Sequence, residues 1–472
     1  MKKIFKYVTI SLIVLLLFAS PAAAASSTKT FSSNYTLVNL GTETASVTAS
    51  YVAPDGSEWG DSIFKTFSIP AGANQIVRQY NDTGLTPGQG SVVIASSQPL
   101  GALVQEIVRT GTPTSGAYAG IDTPSATWYI PMAARKASSG TGMANSQIVI
   151  QNVGAAAVDF DVELYAFGAA IPTYTKNFTG LAAGASVVYD LEGETNLPEA
   201  WWGSAVVSTT SGSLGVISHL FFGADSLMAF NGFPTESIYS SWFIPLLYVR
   251  LSNSLTTSLS IQNLSGEEIP VNDLTLACTK NASAPGAPTI TLHNTTAIAN
   301  NGAYTFNTLT DKVSFPDAGW YGSCKVESAT GKGIVTLIMY RYTANAEQAA
   351  YGAVPGNLSS TNVSVPLVAK RLSNGYANTV TVQNLSAADA TVTLTYTPTG
   401  GGDPIVRPGI VIPAGESLIR NFRLTGTELP EITDGWVGSL SVTSDQPIAA
   451  YVSNTYLSPT GDQFMAYLGF NH

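Results

Sequence analysis

The chain reads as an all-β protein made of four tandem antiparallel β-sandwich domains. Three observations predict this. A set of landmarks returns four times, short segments alternate apolar and polar residues with period two, and turns rich in Gly, Pro, Asn and Asp separate them. No amphipathic stretch of helical period interrupts the pattern.

Each landmark has a place in the repeat. The first ends a strand at Val38-Asn39, Gln151-Asn152, Gln262-Asn263 and Gln383-Asn384. Asn there reads as a turn residue, since it tolerates the left-handed conformation and bonds its own backbone. The second is an apolar residue before a small-residue turn: Ile69-Pro70-Ala71-Gly72, Leu181-Ala182-Ala183-Gly184, Ile298 to Gly302 and Ile412-Pro413-Ala414-Gly415. The third, Gly90-Ser91, Gly203-Ser204, Gly322-Ser323 and Gly438-Ser439, opens another strand. The fourth is an aromatic-plus-glycine close at Tyr118 to Gly120, Phe230 to Gly232, Tyr351-Gly352 and Tyr467 to Gly469. Successive Asn landmarks lie 113, 111 and 121 residues apart, a span that suits a small sandwich domain rather than a solenoid unit.

Residues 1–25 read as a secretory signal peptide. Lys2, Lys3 and Lys6 form its basic start, Ile10 to Phe18 its apolar stretch and Ala22-Ala23-Ala24 its cleavage site. The domains expected after it are 26–124, 125–237, 238–360 and 361–472. Pro/Gly/Ser/Thr-rich stretches at 111–126, 232–241 and 355–362 read as linkers. Run end to end, each domain would add roughly 30–40 Å.

The fourth repeat shows the strand pattern most clearly. Strands are predicted near 363–370, 378–384, 390–397, 405–412, 417–423, 437–444 and 447–455. Seven strands in about 110 residues suit an immunoglobulin-like or fibronectin-like sandwich. The glycine-serine strand shows the period: Ala205 and Val207, with their counterparts Val92 and Ile94, Cys324 and Val326, Leu440 and Val442, share one apolar face.

Both cysteines fall in the third repeat. Cys278 stands where the others have Tyr51, Leu164 and Tyr396, and Cys324 where they have Val92, Ala205 and Leu440. Both slots are otherwise apolar, so the two thiols are expected in one core. A disulfide there closes a loop of about 46 residues, worth about 3–4 kcal/mol; two inert buried thiols are the alternative.

A leading segment occurs three times: Ile130-Pro131 leading to Arg135-Lys136, Ile244-Pro245 to Arg250, and Val365-Pro366 to Lys370-Arg371. Repeat 1 lacks room for it once residues 1–25 are removed. One sheet is then a strand short, either a blunt end of the array or an edge for head-to-tail pairing with another chain. Arg135, Lys136, Arg250, Lys370 and Arg371 read as gatekeepers of an edge strand, with partner contact as the alternative.

Charged residues make up 11% of the chain and the formal net charge is −10, or −13 without the three leader lysines. That balance disfavours nucleic acid and anionic lipid. After the leader no apolar run is long enough to span a bilayer as a helix. His219, His293 and His472 lack metal-type spacing, and no HExxH, CxxC, P-loop or GxSxG pattern occurs. No cofactor is expected. The acidic run Asp55 to Asp61 lacks an EF-hand's spacing and reads as a polar hairpin loop. Trp201, Trp202, Trp320 and Trp436 recur before the glycine-serine strand, a place that favours packing; the Trp201-Trp202 pair is the candidate glycan platform. Sequons include Asn34, Asn81, Asn177 and Asn294.

The Ile-Pro opening, Gln-Asn, Pro-Ala-Gly, Trp-x-Gly-Ser, Asp445 to Ala450 and the Tyr/Phe-x-Gly close cover nearly all of the chain after the leader. In this style the chain resembles the tandem Ig-like repeat proteins of the bacterial cell surface and secreted fraction. The resemblance implies four tandem immunoglobulin-like or fibronectin-like domains with a structural, adhesive or assembly role and no reaction. The expected protein is non-enzymatic and secreted or held at the cell surface. Its partners would be other protein chains or surface components, with self-pairing and glycans among the options. The alternative is a carbohydrate-binding module array or an accessory chain of an extracellular hydrolase.

Overall fold

A computed structural model describes residues 11–18, 30–108, 111–139, 142–345, 347–425 and 431–472. The leader's lysines and its cleavage site lie outside these residues. The chain is all-β; the helical pieces among the described residues are two three-residue turns. No helix of the described residues is long and apolar enough to cross a membrane, which says nothing of a strand-built barrel.

Every sheet is antiparallel and, apart from strand Ser11–Phe18, built from within one repeat. In repeat 4 the strands are Asn362–Ala369, Tyr376–Asn384, Ala390–Pro398, Ile405–Ile412, Ser417–Asn421, Val437–Ser444 and Ile448–Tyr456, each within two residues of its predicted bounds. Two short strands went unpredicted. Met465–Leu468 is the closing landmark itself, and Phe470–Asn471 follows it. One sheet runs 405–412, 390–398, 437–444, 362–369, 470–471; the other runs 417–421, 376–384, 448–456, 465–468. Repeats 2 and 3 reproduce both orders, apart from a short added strand at Ala137–Ser139 that pairs with the start of Gly142–Asn152. The leading strands Thr127–Arg135, Ser241–Tyr248 and Asn362–Ala369 are therefore interior, flanked by the glycine-serine strand and by a two-residue tail strand. Proline inside a sheet needs a bulge. Each leading strand shifts register there, between the pairs that flank Pro131, Pro245 and Pro366.

The two slots that the sequence places in one core are directly opposite each other on paired strands. Tyr51 pairs with Val92, Leu164 with Ala205, Cys278 with Cys324 and Tyr396 with Leu440. All eight residues are buried, and the two cysteines form a disulfide.

The landmark residues each have a mechanical duty. Asn39, Asn152, Asn263 and Asn384 are buried, with backbone outside the left-handed region, so the turn reading needs correcting. Each side-chain amide donates to the carbonyl four residues on and to that of Ile69, Leu181, Ile298 or Ile412, before the small-residue turn. Each side-chain oxygen accepts from the backbone N–H two residues on. One buried amide thus staples two loops, and its donors and acceptor are all satisfied.

The glycine of the Gly-Ser pair makes room for an indole. A Cβ on Gly203, Gly322 or Gly438 would lie 2.5–2.8 Å from the ring of Trp201, Trp320 or Trp436. Repeat 1 has no Trp at that point, yet Trp59 arrives from the Asp55–Asp61 hairpin and lies 2.5 Å from the same position on Gly90. Four rings fill one equivalent site by two routes.

The four repeats close on themselves instead of extending end to end. Ser204 Oγ donates to the carbonyl of Asn301 in repeat 3, Ser323 Oγ to Gly415 in repeat 4, and Ser439 Oγ to Gly72 in repeat 1, each at 2.6 Å. Ser91 of repeat 1 receives the Gln151 amide of repeat 2 at 2.6 Å, and that amide also reaches Gly184. The bulged prolines add a second set: the carbonyls of Pro131, Pro245 and Pro366 accept from Ser260, Ser417 and Asn74 of the next repeat. The last of these again joins repeat 4 to repeat 1. The stretches that composition marks as linkers carry closing strand Ser115–Ala119 and tail strand Phe233–Pro234, so they are built into the sheets.

Candidate functional site

Closure brings the four closing strands Ser115–Ala119, Leu227–Asn231, Gln348–Gly352 and Met465–Leu468 together in cyclic order around an axis. Their close approach needs small residues: a Cβ on Gly116 would lie 2.7 Å from the Ala229 methyl of the neighbouring strand. The ends of the four strands surround a cavity of about 560 Å³, lined by the aromatic-plus-glycine landmarks and by Leu40, Tyr239 and Phe470. Exposed Asp122 and Glu236 stand among its residues. The tail of the closing landmark is thus what the cavity is made of.

The opposite ends of the closing strands are pinned by Asp462, whose side chain is fully buried. Its Oδ2 accepts from Leu227 N at 2.8 Å and Ser226 Oγ at 3.0 Å; its Oδ1 accepts from Gln348 N at 3.0 Å. Its backbone carbonyl accepts from Ser115 Oγ at 3.2 Å. One residue of repeat 4 therefore holds repeats 1, 2 and 3. Burial pushes its carboxyl well above the usual carboxylate range, and the Leu227, Gln348, Ser226 and Phe464 donors pull against that.

The seams between repeats differ in chemistry. Between repeats 1 and 2, buried Glu106 lies 3.0 Å from His219 Nε2 and accepts the Tyr118 hydroxyl at 3.2 Å. Burial first, then the Glu106 charge, raises the Tyr118 phenol well above its ordinary value. Between repeats 3 and 4, Tyr351 stacks on Tyr451 with ring centroids 4.7 Å apart. Between repeats 4 and 1, Gln105 Nε2 donates to the Tyr376 hydroxyl at 3.0 Å. Sequence reasoning missed Asp462, Glu106 and His219 as a group. Each meets its partners across a seam, and no spacing within a repeat carries that signal.

The residues singled out from sequence serve the frame. Trp201 is buried against Gly203, and Trp202 is half-buried with its ring 6.4 Å from Phe222, so the pair presents no open two-ring platform. The gatekeeper reading of the basic residues fails because the leading strands are interior. Arg135 is buried and donates to the Leu197 carbonyl; Lys136 pairs with Glu199 at 3.2 Å. Arg250 donates to the carbonyls of Thr308 and Phe315, and Arg371 holds Asp434 and the Arg423 carbonyl. Lys370 is buried at the same loop. Lys136, Arg250 and Arg371 share a left-handed backbone with φ near 43°, and each side chain reaches the loop that precedes its glycine-serine strand.

In the acidic hairpin, Glu58 and Asp61 pair with Lys65 while Trp59 packs inward. Among the described residues no group of three His, Cys, Asp or Glu side chains is placed to hold a metal ion. The sequon Asn294 is fully buried, with its amide spent on the Pro270 and Thr296 carbonyls.

The missing strand of repeat 1 is supplied from the leader. Residues Ser11–Phe18 pair antiparallel with the glycine-serine strand Gln89–Ser96, in the place that the leading strands hold in the other repeats. They do so without a bulge and without proline.

No family model matches the chain, and no curated protein does. Among solved structures it has a likeness to the Thermotoga maritima protein 1070, at 13% identity with a TM-score of 0.21, over 24% of this chain and 97% of that one. A second likeness, to Escherichia coli alpha-2-macroglobulin activated by porcine elastase, has 10% identity and a TM-score of 0.11, over 98% of this chain and 44% of that one.

Proposed function

We propose that the chain is a non-enzymatic structural or adhesive protein of the secreted fraction or cell surface, built from four immunoglobulin-like or fibronectin-like sandwich domains. One observation carries this reading. The residues that the four repeats share are spent on staples, indole packing and seams, so what recurs is a frame and not a reacting group. The disulfide in repeat 3 is compatible with an oxidising compartment. A frame closed by its own seams presents loops and cavity walls at fixed separations, which is what an adhesive or matrix component needs of its scaffold.

Cell fractionation of the native host tests the proposal. The chain is expected in the medium or on washed cells, with Cys278 and Cys324 resistant to alkylation until reduced. Recovery from the cytoplasm with two free thiols would refute it.

A further inference from the structure

We propose that the edge of strand Gln89–Ser96 is an acceptor slot for an extended apolar segment of a partner protein. The inference rests on the secreted reading above, because it begins from a chain whose leader has been removed.

The other repeats show what the slot requires. Opposite the equivalent strand, Trp128 and Ile130 pair with Val207 and Ala205, Trp242 and Ile244 with Val326 and Cys324, and Val363 and Val365 with Val442 and Leu440. All six leading-strand residues are buried. In repeat 1, Ile13 and Leu15 hold the same register positions, opposite Ile94 and Val92. The slot thus takes an antiparallel strand, paired over eight residues from Ser11↔Ser96 to Phe18↔Gln89, with apolar residues two apart.

Cleavage after Ala24 or Ala25 removes that strand and leaves at most six residues before Phe31 opens the asparagine strand. In repeats 3 and 4 six residues connect the two strands (249–254 and 370–375) before any pairing begins. The shortened N-terminus therefore lacks the length to refill the slot. A second copy of the mature chain has no strand to spare either, since its leading strands are each paired on both sides in their own sheets. The occupant is a different polypeptide that offers a strand with apolar residues at alternating positions, and an unpaired edge with an exposed apolar face favours its capture.

The test uses the mature chain, residues 26–472, and a synthetic Ser11–Phe18 peptide with lysine tails for solubility. Hydrogen exchange is read at residues 89–96 and at their counterparts 437–444. In the mature chain alone, 89–96 is expected to exchange at least tenfold faster than 437–444. The peptide restores protection and raises the melting temperature; a peptide carrying Ile13→Asp and Leu15→Asp does neither. Equal protection of both strands in a monomer by light scattering, or no response to the peptide, overturns the proposal. Protection of 89–96 that appears only with self-association also overturns it, giving the slot to a second copy. Intact mass of the exported chain separates the two levels. A mass that retains residues 11–18 overturns the partner slot while the surface reading stands, whereas a chain that is never exported sinks the surface reading itself.

Discussion

Replacing Asp462 with Ala tests the closed arrangement most directly. The carboxylate takes the backbone N–H groups of Leu227 and Gln348 from two other repeats, together with the Ser226 hydroxyl. Alanine leaves two backbone donors buried without acceptors. At about 1–3 kcal/mol for each stranded buried group, the loss is about 2–6 kcal/mol. Because the three partners meet only at the axis, the penalty is local to it. The amides of Leu227 and Gln348 should exchange roughly a thousandfold faster, taking about 4 kcal/mol at 1.4 kcal/mol per factor of ten. Strand 405–412, on the outer sheet of repeat 4, should keep its protection. Asp462→Asn offers an amide in place of one oxygen, so it faces at least one N–H with a donor and should fall between wild type and Ala. The pH dependence has a definite sign. A folded-state carboxyl raised above its unfolded value of about 3.9 favours the protonated form, so its contribution is fully present below that value. It is lost as pH rises toward the folded-state value, and the Asn variant lacks that slope. Acceleration of less than tenfold at both amides in the Ala variant would refute the pinning role.

Three further outcomes follow from the same contacts. Ser204→Ala, Ser323→Ala and Ser439→Ala each remove one seam hydrogen bond; thermal melts should show about 1 kcal/mol apiece, adding in the triple variant because the sites are far apart. Asn384→Ala removes the staple between the loops at Ala388 and Ile412 and should cost about 2–4 kcal/mol in denaturant titration, whereas a surface turn residue would cost under 0.5. Reducing Cys278–Cys324 opens a loop closed over 46 residues and should destabilise repeat 3 by about 4 kcal/mol, seen as faster exchange in 274–280 with little change in 390–398.

The strands were legible because their period and turn residues are local signals. The bounds in repeat 4 hold to within two residues, and aligning the repeats places both cysteines in one core, where they form the disulfide. What the chain kept hidden was the use of its landmarks. Asn384 looked like a turn former because its neighbours are turn-like; its amide in fact reaches 28 residues ahead to Ile412. Arg135 and Arg250 looked like edge guards because basic residues at the end of an apolar strand fit that role. The two-residue tail strands that make those strands interior are too short to carry a period. The Trp59 contact with Gly90 shows a further limit. A missing landmark tryptophan suggests a missing function, yet the ring site is filled from a hairpin that shares no sequence with its counterparts.

Closure also changes what an incomplete repeat means. In an open string, a first repeat short of one strand is simply an end, and a blunted end costs the array little. Here repeat 1 has a neighbour on both sides: Ser439 and Asn74 join it to repeat 4, and Gln151 and Asn231 join it to repeat 2. Its inner sheet is locked at the axis through Ser115 and Asp462. The gap that the proposed removal of Ser11–Phe18 would leave lies in the other sheet, where filling it disturbs none of these contacts. A strand can therefore enter beside Gln89–Ser96 while the other three repeats stay as they are, so a rigid frame and an acceptor edge are compatible in one chain. If the axis were instead loosened by losing that strand, the Asp462 amide partners in the mature chain would exchange as fast as residues 89–96, and the two events would be one.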